Sequence, residues 1–67
     1  MNTKLKTKRH EAGLTQVEVA KKARITEVSY QRIEYGVQNP SLKTAILIAK
    51  ALNSTVEELF RESITQP

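Results

Sequence analysis

Apolar residues recur along this chain of 67 residues with the spacing of helices, and no stretch alternates as a β-strand does. Each predicted helix follows a residue whose side-chain oxygen can cap it: Asn2, Thr15, Thr26, Ser41 and Thr55. Residues that favour a left-handed stop follow three of these helices: Gly13, Gly36 and Asn53. These signals predict helices over residues 3–12, 16–24, 27–35 and 42–52, and a short fifth helix from residue 56.

The apolar positions also indicate which helix faces are buried. The fourth helix has the strongest amphipathic pattern. Its predicted buried stripe is Leu42, Ala45, Ile46, Ala49 and Leu52. The apolar side of the third helix is Tyr30, Ile33 and then Val37. Capping boxes at Thr15 with Glu18 and at Thr55 with Glu58 strengthen two helix starts. The prediction is a single all-α domain of five helices over residues 1–67, in which residues 61–67 form a short tail.

Charge and composition restrict the function. The chain has 11 Lys and Arg against 7 acidic residues, a net charge of +4, and the whole excess lies in residues 1–34. A one-sided basic excess suits nucleic acid or an anionic membrane surface. The chain lacks Cys and Asp and has a single histidine, His10, so we expect no metal site, no cofactor and no catalysis. Apolar runs are far shorter than the ~20 residues of a membrane helix, and a cytoplasmic location is expected.

The second and third helices are close enough in sequence to form a helix-turn-helix, and Ala20 is small enough for them to cross closely. The pattern from residue 5 to residue 60 resembles the lambda-repressor-like helix-turn-helix family, also called the Xre family, which includes phage repressors and Cro proteins. The segments that carry the resemblance are Arg9 and Gly36 with residues 13–16, 25–26, 32–34, 40–42, 48–52 and 58–60. The resemblance implies a DNA-binding domain.

The resemblance implies that the third helix enters the major groove of DNA and that its exposed residues read bases. The implied base-reading residues are Glu27, Val28, Gln31 and Arg32. An arginine can fork to guanine, a glutamate can accept from cytosine, and a valine can touch the methyl group of thymine. The alternative is that these residues form an ordinary solvated helix face.

Phosphate contacts are implied for the start of the second helix and for nearby loops. Gln16 resembles a family residue that hydrogen-bonds a phosphate and braces the base-reading side chains. The other phosphate candidates are Thr26, Ser29, Tyr35, Gln38, Asn39 and Ser41. Turn and capping chemistry is the alternative role for the loop residues, and the two roles can coexist.

Arg9 and Glu34 each interrupt an apolar helical face, so each requires an oppositely charged partner. Burying either charge alone would cost roughly 3–5 kcal/mol. The family has an arginine–glutamate pair at the matching positions, which predicts that these two residues form a structural ion pair.

Three positions depart from the family pattern. Arg24 stands where the turn usually has glycine, and a positive φ at a non-glycine residue costs on the order of 1 kcal/mol. Lys8 replaces a commonly apolar residue of the first helix. Leu47 replaces a commonly polar residue of the fourth helix, which predicts an apolar side chain outside the core.

The implied function is sequence-specific binding of double-stranded DNA as a homodimeric repressor on an inverted repeat. The dimer contact is predicted to use Val56, Phe60 and Ile64, with Phe60 as its anchor. The alternative is an antitoxin-like module that sequesters a partner protein, and a regulatory protein is a further candidate partner. A membrane-surface helix is disfavoured because the first helix lacks a broad apolar face.

Overall fold

The predicted helices are present in the part of the chain that the structure describes. The computed structural model describes the backbone of residues 2–64 and the side chains of residues 2–60. Its helices are α1 (Thr3–Glu11), α2 (Gln16–Ala23), α3 (Glu27–Tyr35), α4 (Leu42–Ala51) and α5 (Val56–Ile64). Residues 2–64 contain no strand, which confirms the all-α prediction. None of these helices is long and apolar enough to cross a membrane.

Side-chain caps start the helices. Asn2, Thr15, Thr26 and Ser41 each accept a hydrogen bond from the backbone N–H three residues later. The capping box of α2 is complete, since Glu18 Oε1 also accepts from Thr15 N at 2.8 Å. At the start of α5, Thr55 Oγ1 accepts from Glu58 N at 3.0 Å. The Glu58 carboxylate accepts a hydrogen bond from the Ser54 hydroxyl rather than from the backbone N–H of Thr55. The second predicted capping box therefore has only one of its two hydrogen bonds.

The turn between α2 and α3 takes a left-handed backbone conformation at Arg24. Its φ is 61° and its ψ is 39°. Ile25 N donates to Ala20 O at 3.0 Å and closes the end of α2. The arginine therefore adopts the conformation that glycine usually supplies, and the turn keeps its shape at a cost of about 1 kcal/mol.

Small residues let α2 lie close to its neighbours. Ala20 and Ala23 are 2% and 1% exposed, and α2 packs against both α3 and α4. Val19 of α2 and Ile48 of α4 are fully buried in the same core. Because alanine has no atoms beyond Cβ, the helix axes can approach closely. This packing fixes the orientation of α3 relative to α2.

The buried face of α4 differs from the predicted stripe. Leu42 is 68% exposed and Ile46 is 39% exposed. Ile48 is buried instead, and Leu47 is partly buried against the core, although it was expected outside. This helix has apolar residues on most of its sides, so the directions from which α2 and α5 pack decide which of them are covered.

The end of α3 corrects the prediction for Val37. Gly36 has a φ of 81°, which ends the helix and redirects the chain. Val37 is 74% exposed as a result. Tyr30 and Ile33, which lie within the helix, are buried as predicted.

Asn2 ties the start of α1 to two other helices. Its backbone N–H donates to Glu34 O at 2.9 Å, and its side-chain Nδ2 donates to Leu59 O at 2.8 Å. Lys8 Nζ lies 3.6 Å from Glu58 Oε1 and adds a second link between α1 and α5. The outer helices are thereby held around α2 and α3.

Candidate nucleic-acid interface

One face of α3 is exposed and carries the predicted base-reading residues. Glu27, Val28 and Arg32 are exposed, and Val28 keeps 54% of its accessible surface. Gln31 is half-buried. Val28 lies three residues before Gln31 and four before Arg32, and Glu27 lies four before Gln31, so these positions share one side of the helix. The opposite side of α3 belongs to the core.

The side chain of Gln31 connects α3 to α2. Its Nε2 donates to Glu27 Oε2 at 3.2 Å and lies 3.4 Å from Gln16 Oε1. Gln16 Nε2 in turn donates to Glu34 Oε1 at 3.2 Å. A series of hydrogen bonds thus runs from a buried carboxylate to the exposed face of α3.

Arg9 and Glu34 form a bidentate ion pair behind this face. Arg9 Nε lies 2.8 Å from Glu34 Oε2, and Arg9 Nη2 lies 3.1 Å from Oε1. The Tyr30 hydroxyl donates to Oε2 at 2.7 Å, and Arg9 Nη1 donates to Leu14 O at 3.0 Å. Only 1% of the Glu34 side chain is exposed. Among the described side chains, every buried nitrogen and oxygen has a hydrogen-bond partner.

The surroundings of Glu34 favour its ionised form. Desolvation raises its pKa, but the hydrogen bonds from Arg9 and Tyr30 outweigh this effect, and the pKa lies below its ordinary value. Burial and the hydrogen bond to Glu34 raise the pKa of Tyr30. The hydrogen bond to Glu34 also raises the pKa of Arg9. At neutral pH the cluster therefore contains a carboxylate, a guanidinium and a neutral phenol.

We expect the free energy of unfolding to fall in acid because of Glu34. The pKa of Glu34 is lower in the folded chain than in the unfolded chain, where it is about 4.5. The stabilisation is therefore present above that value and is lost as the pH falls through the folded pKa. Urea unfolding followed by circular dichroism, from neutral pH down to about pH 3, measures the loss.

Glu34→Gln should be less stable at neutral pH and should show a flatter acid dependence than the native chain. Hydrogen bonds also lower the pKa of two exposed residues, Glu18 and Glu58. Glu18→Gln and Glu58→Gln therefore serve as controls, since they show how much of the loss of unfolding free energy in acid comes from Glu18 and Glu58. Equal acid profiles for Glu34→Gln and the native chain would contradict the assignment.

Apart from Gln16, the phosphate candidates lie at the starts of α3 and α4, at the end of α3 and in the loop between these helices. The hydroxyls of Thr26 and Ser41 accept capping hydrogen bonds. A capping hydroxyl can still donate its proton to a phosphate, but Ser41 directs that proton to Thr44 Oγ1. The other candidates on this side are half-buried Ser29 and the exposed Tyr35, Gln38 and Asn39.

The start of α2 carries a negative charge of its own. The Glu18 carboxylate closes the capping box beside the first N–H groups of the helix, and hydrogen bonds from Thr15 lower the pKa of Glu18. An ionised carboxylate at a helix N-terminus stabilises the helix, but it repels a phosphate. Gln16 is half-buried, and its amide faces Glu34 and Gln31.

The structure corrects the expected role of Phe60. This side chain is 2% exposed and packs in the core of its own domain, so it has no surface left to anchor a second copy. Val56 is half-buried and packs against that core. The side chain of Ile64 lies outside the described residues. Among the described side chains, the exposed large apolar residues are Val17, Val28, Tyr35, Val37, Leu42 and Ile46.

The comparison with known families identifies this arrangement. A family model described as helix-turn-helix matches residues 5–59. The chain belongs to the helix-turn-helix family. Its α2 and α3 are the two helices of the motif, and the left-handed Arg24 lies in the turn between them. The resemblance to lambda-repressor-like proteins is confirmed.

Three relatives of this helix-turn-helix chain match it over most of its length. An uncharacterized HTH-type transcriptional regulator of Archaeoglobus fulgidus is 38% identical over 60 residues, which cover 90% of this chain and 86% of the relative. A second such regulator of the same organism is 37% identical over 60 residues, covering 90% and 84%. One from Methanocaldococcus jannaschii is 40% identical over 60 residues, covering 90% and 91%. No solved structure matches the chain at a significant level. The chain is a member of a family of DNA-binding transcriptional regulators.

Sequence reasoning missed two links within this helix-turn-helix domain. The Tyr30 hydroxyl binds Glu34, and Gln31 bridges Glu27 and Gln16. The spacing of four residues from Tyr30 to Glu34 and from Glu27 to Gln31 is a signal that could have found the contacts within α3. The family resemblance implied that Gln16 braces base-reading side chains, but its contact with Gln31 in particular depends on how α2 and α3 cross.

Proposed function

We propose that this protein is a homodimeric transcriptional repressor that reads an inverted repeat in double-stranded DNA through α3. The exposed face of α3 carries the proposal, because an acid, an apolar residue and a guanidinium stand together there on a helix whose other side is held in the core. Membership of the helix-turn-helix family supports DNA as the ligand.

Each exposed side chain of α3 offers a different contact to a base. The planar fork of Arg32 matches O6 and N7 of guanine, and the carboxylate of Glu27 can accept from N4 of cytosine. Val28 can contact the methyl group of thymine. Such contacts distinguish base pairs in the major groove, whereas a uniformly basic helix would attract all DNA alike.

Exposed cations and loop donors support the approach to the phosphate backbone. The exposed cations of residues 1–34, where the basic excess lies, are Lys4, Lys6, Lys21, Lys22, Arg24 and Arg32. The proposed phosphate contacts are Gln16, Thr26, Ser29, Tyr35, Gln38, Asn39 and Ser41. We give most weight to Asn39 and Gln38, because both are exposed and lie in a loop beside α3. Contacts of this kind fix the register of the protein, and they weaken as salt rises.

A second copy completes the proposed complex. One domain, 33 Å in its longest dimension, covers one half-site but not two half-sites whose centres are ~34 Å apart. A two-fold protein dimer requires a two-fold operator. We propose that the contact between the two copies uses Val56 and Ile64, without Phe60. A dimer bound across a promoter would block polymerase and so repress transcription.

Selection of bound sites from a random oligonucleotide pool tests this function. We expect an inverted repeat with one fixed spacing between its half-sites. Enrichment of no sequence would contradict sequence-specific regulation and would favour the alternative of a protein-binding module. Enrichment of a single, non-repeated site would contradict the proposed dimer but not sequence-specific binding.

Arg32→Ala should remove one base preference in each half-site. The loss of the guanine fork should cost ~1–3 kcal/mol on the selected site and relax the preference at one base pair. Binding of the variant to every single-base change of one half-site, measured by fluorescence anisotropy, gives the profile. An unchanged preference at all positions would mean that Arg32 does not read a base.

Lys21→Ala is the control for the Arg32 prediction. Lys21 is an exposed cation on α2 and carries no fork for a base edge. Its removal should weaken binding to all sequences slightly and leave the base preferences unchanged, because it supplies only attraction to phosphates.

A further inference from the structure

We propose that Gln31 reads DNA as a hydrogen-bond acceptor only, because Gln16 and Glu27 hold its amide nitrogen inside the protein. Gln16 is then a positioning residue that determines the base preference of Gln31. The inference rests on the proposed function and specifies how one residue of α3 selects its base.

The direction of the hydrogen bonds is fixed at Glu34. An ionised carboxylate can only accept, and the Glu34 carboxylate accepts from Arg9, Tyr30 and Gln16. The Gln16 group that faces Glu34 Oε1 at 3.2 Å must therefore be the NH₂ group. The carbonyl oxygen of Gln16 then points the other way, toward Gln31.

Gln31 is oriented by two acceptors. Gln16 Oε1 lies 3.4 Å from its Nε2, and Glu27 Oε2 lies 3.2 Å from the same nitrogen. Each of the two amide protons thus has an acceptor within the domain. If the amide of Gln31 were reversed, its oxygen would face both of these oxygens, which would cost both hydrogen bonds and add repulsion. The carbonyl oxygen of Gln31 is the group left for DNA.

This orientation changes which base Gln31 can select. A free glutamine reads adenine with both ends of its amide, accepting from N6 and donating to N7. Gln31 can use its oxygen alone, so it should accept from N6 of adenine or from N4 of cytosine. Guanine and thymine present O6 and O4, which are acceptors, at the corresponding places. Gln31 should therefore select an amino-bearing base rather than adenine alone.

Binding of the native chain to every single-base variant of the selected site tests this preference. Gln31→Ala identifies the position that Gln31 reads, because the preference there is lost. At that position we expect adenine and cytosine to bind within about twofold of each other and guanine and thymine to bind about 3- to 10-fold more weakly. A native chain that prefers adenine strongly over cytosine would overturn the proposal.

Gln16→Met tests the role of Gln16. Methionine keeps the length of the side chain but offers no strong acceptor, so one amide proton of Gln31 becomes free to reach N7 of adenine. The ratio of adenine to cytosine affinity at this position should rise about 3- to 10-fold. Loss of a phosphate contact by Gln16 would lower the affinity for all sequences and leave this ratio unchanged.

Two further variants complete the design. Glu27→Ala frees the other amide proton without touching the core, so the same ratio should rise even where Gln16→Met proves too unstable, as judged by its thermal unfolding. Asn39→Ala removes an exposed candidate phosphate contact and should leave the ratio unchanged.

The outcomes separate this inference from the proposed function. A chain that binds every sequence alike overturns both. A chain that selects a sequence, but whose folded Gln16→Met and Glu27→Ala variants keep the native ratio, overturns this inference alone. A ratio that rises in both variants and stays native in Asn39→Ala supports it.

Discussion

Arg9→Ala should lower the free energy of unfolding by about 3–5 kcal/mol, because it leaves the Glu34 carboxylate buried without its counterion. A domain of this length has only about 3–10 kcal/mol in total, so the variant should lie close to unfolding at room temperature. Urea titration in the presence of a stabilising osmolyte such as sucrose keeps the native baseline measurable. Glu34→Ala should also be strongly destabilised.

The double variant should lose less than the sum of the two single losses, since each single change strands a charge that the double change removes. The double variant should still be less stable than the native chain, because Glu34 also accepts a hydrogen bond from Tyr30. The buried Tyr30 hydroxyl loses this partner in Glu34→Ala and in the double variant. Adding Tyr30→Phe to the double variant should restore part of that loss. Additive single losses would mean that the two charges are not coupled.

The exposed pair of Lys8 and Glu58 is the matched control. Its atoms lie 3.6 Å apart, and its side chains are 32% and 42% exposed. Exposed pairs are screened by water and salt. The same double-variant cycle at these two residues should therefore give a much smaller coupling than the cycle at Arg9 and Glu34.

Lengthening the selected operator by half a helical turn, about 5 base pairs between the half-sites, should lower the affinity by about 10²-fold or more, because only one domain of a dimer can then engage. The insertion turns the second half-site to the opposite side of the DNA. Binding of the native chain to both operators, measured at one fixed salt concentration, gives the ratio.

A single half-site is the reference for this experiment. The lengthened operator and the single half-site should bind alike, and sedimentation should show two chains on the native operator. Equal affinity for the native and lengthened operators would show that the copies bind independently. Affinity for all of these duplexes should fall steeply with added salt, as counterions are released from the phosphates.

The local signals in the sequence were sufficient to place the helices. The caps Asn2, Thr15, Thr26 and Ser41 form the predicted bonds, since a cap joins groups only three residues apart. Gly36 takes the left-handed conformation expected of it. Arg24 shows that the turn depends on its surroundings as well, because a residue that disfavours this conformation adopts it.

The sequence also indicated the chemistry of the interface, although not its internal arrangement. The exposed positions of α3 follow from helical spacing once Tyr30 and Ile33 are assigned to the core. The partner of Arg9 came from a family resemblance, because residues 25 positions apart carry no local signal for contact. The resemblance also implied a bracing role for Gln16, but it did not name Gln31 as the side chain that Gln16 contacts.

The sequence by itself determined the five helix starts, the all-α class and the exposed chemistry of α3, all of which depend on residues a few positions apart. Tertiary structure alone decided that Phe60 is buried, that Ile46 is exposed, and that Gln16 faces Glu34 and Gln31. The physical reason is that an apolar side chain can be buried against several different neighbours, and an amide can hydrogen-bond to several different partners. Only the packing directions of α2, α4 and α5 select among those partners.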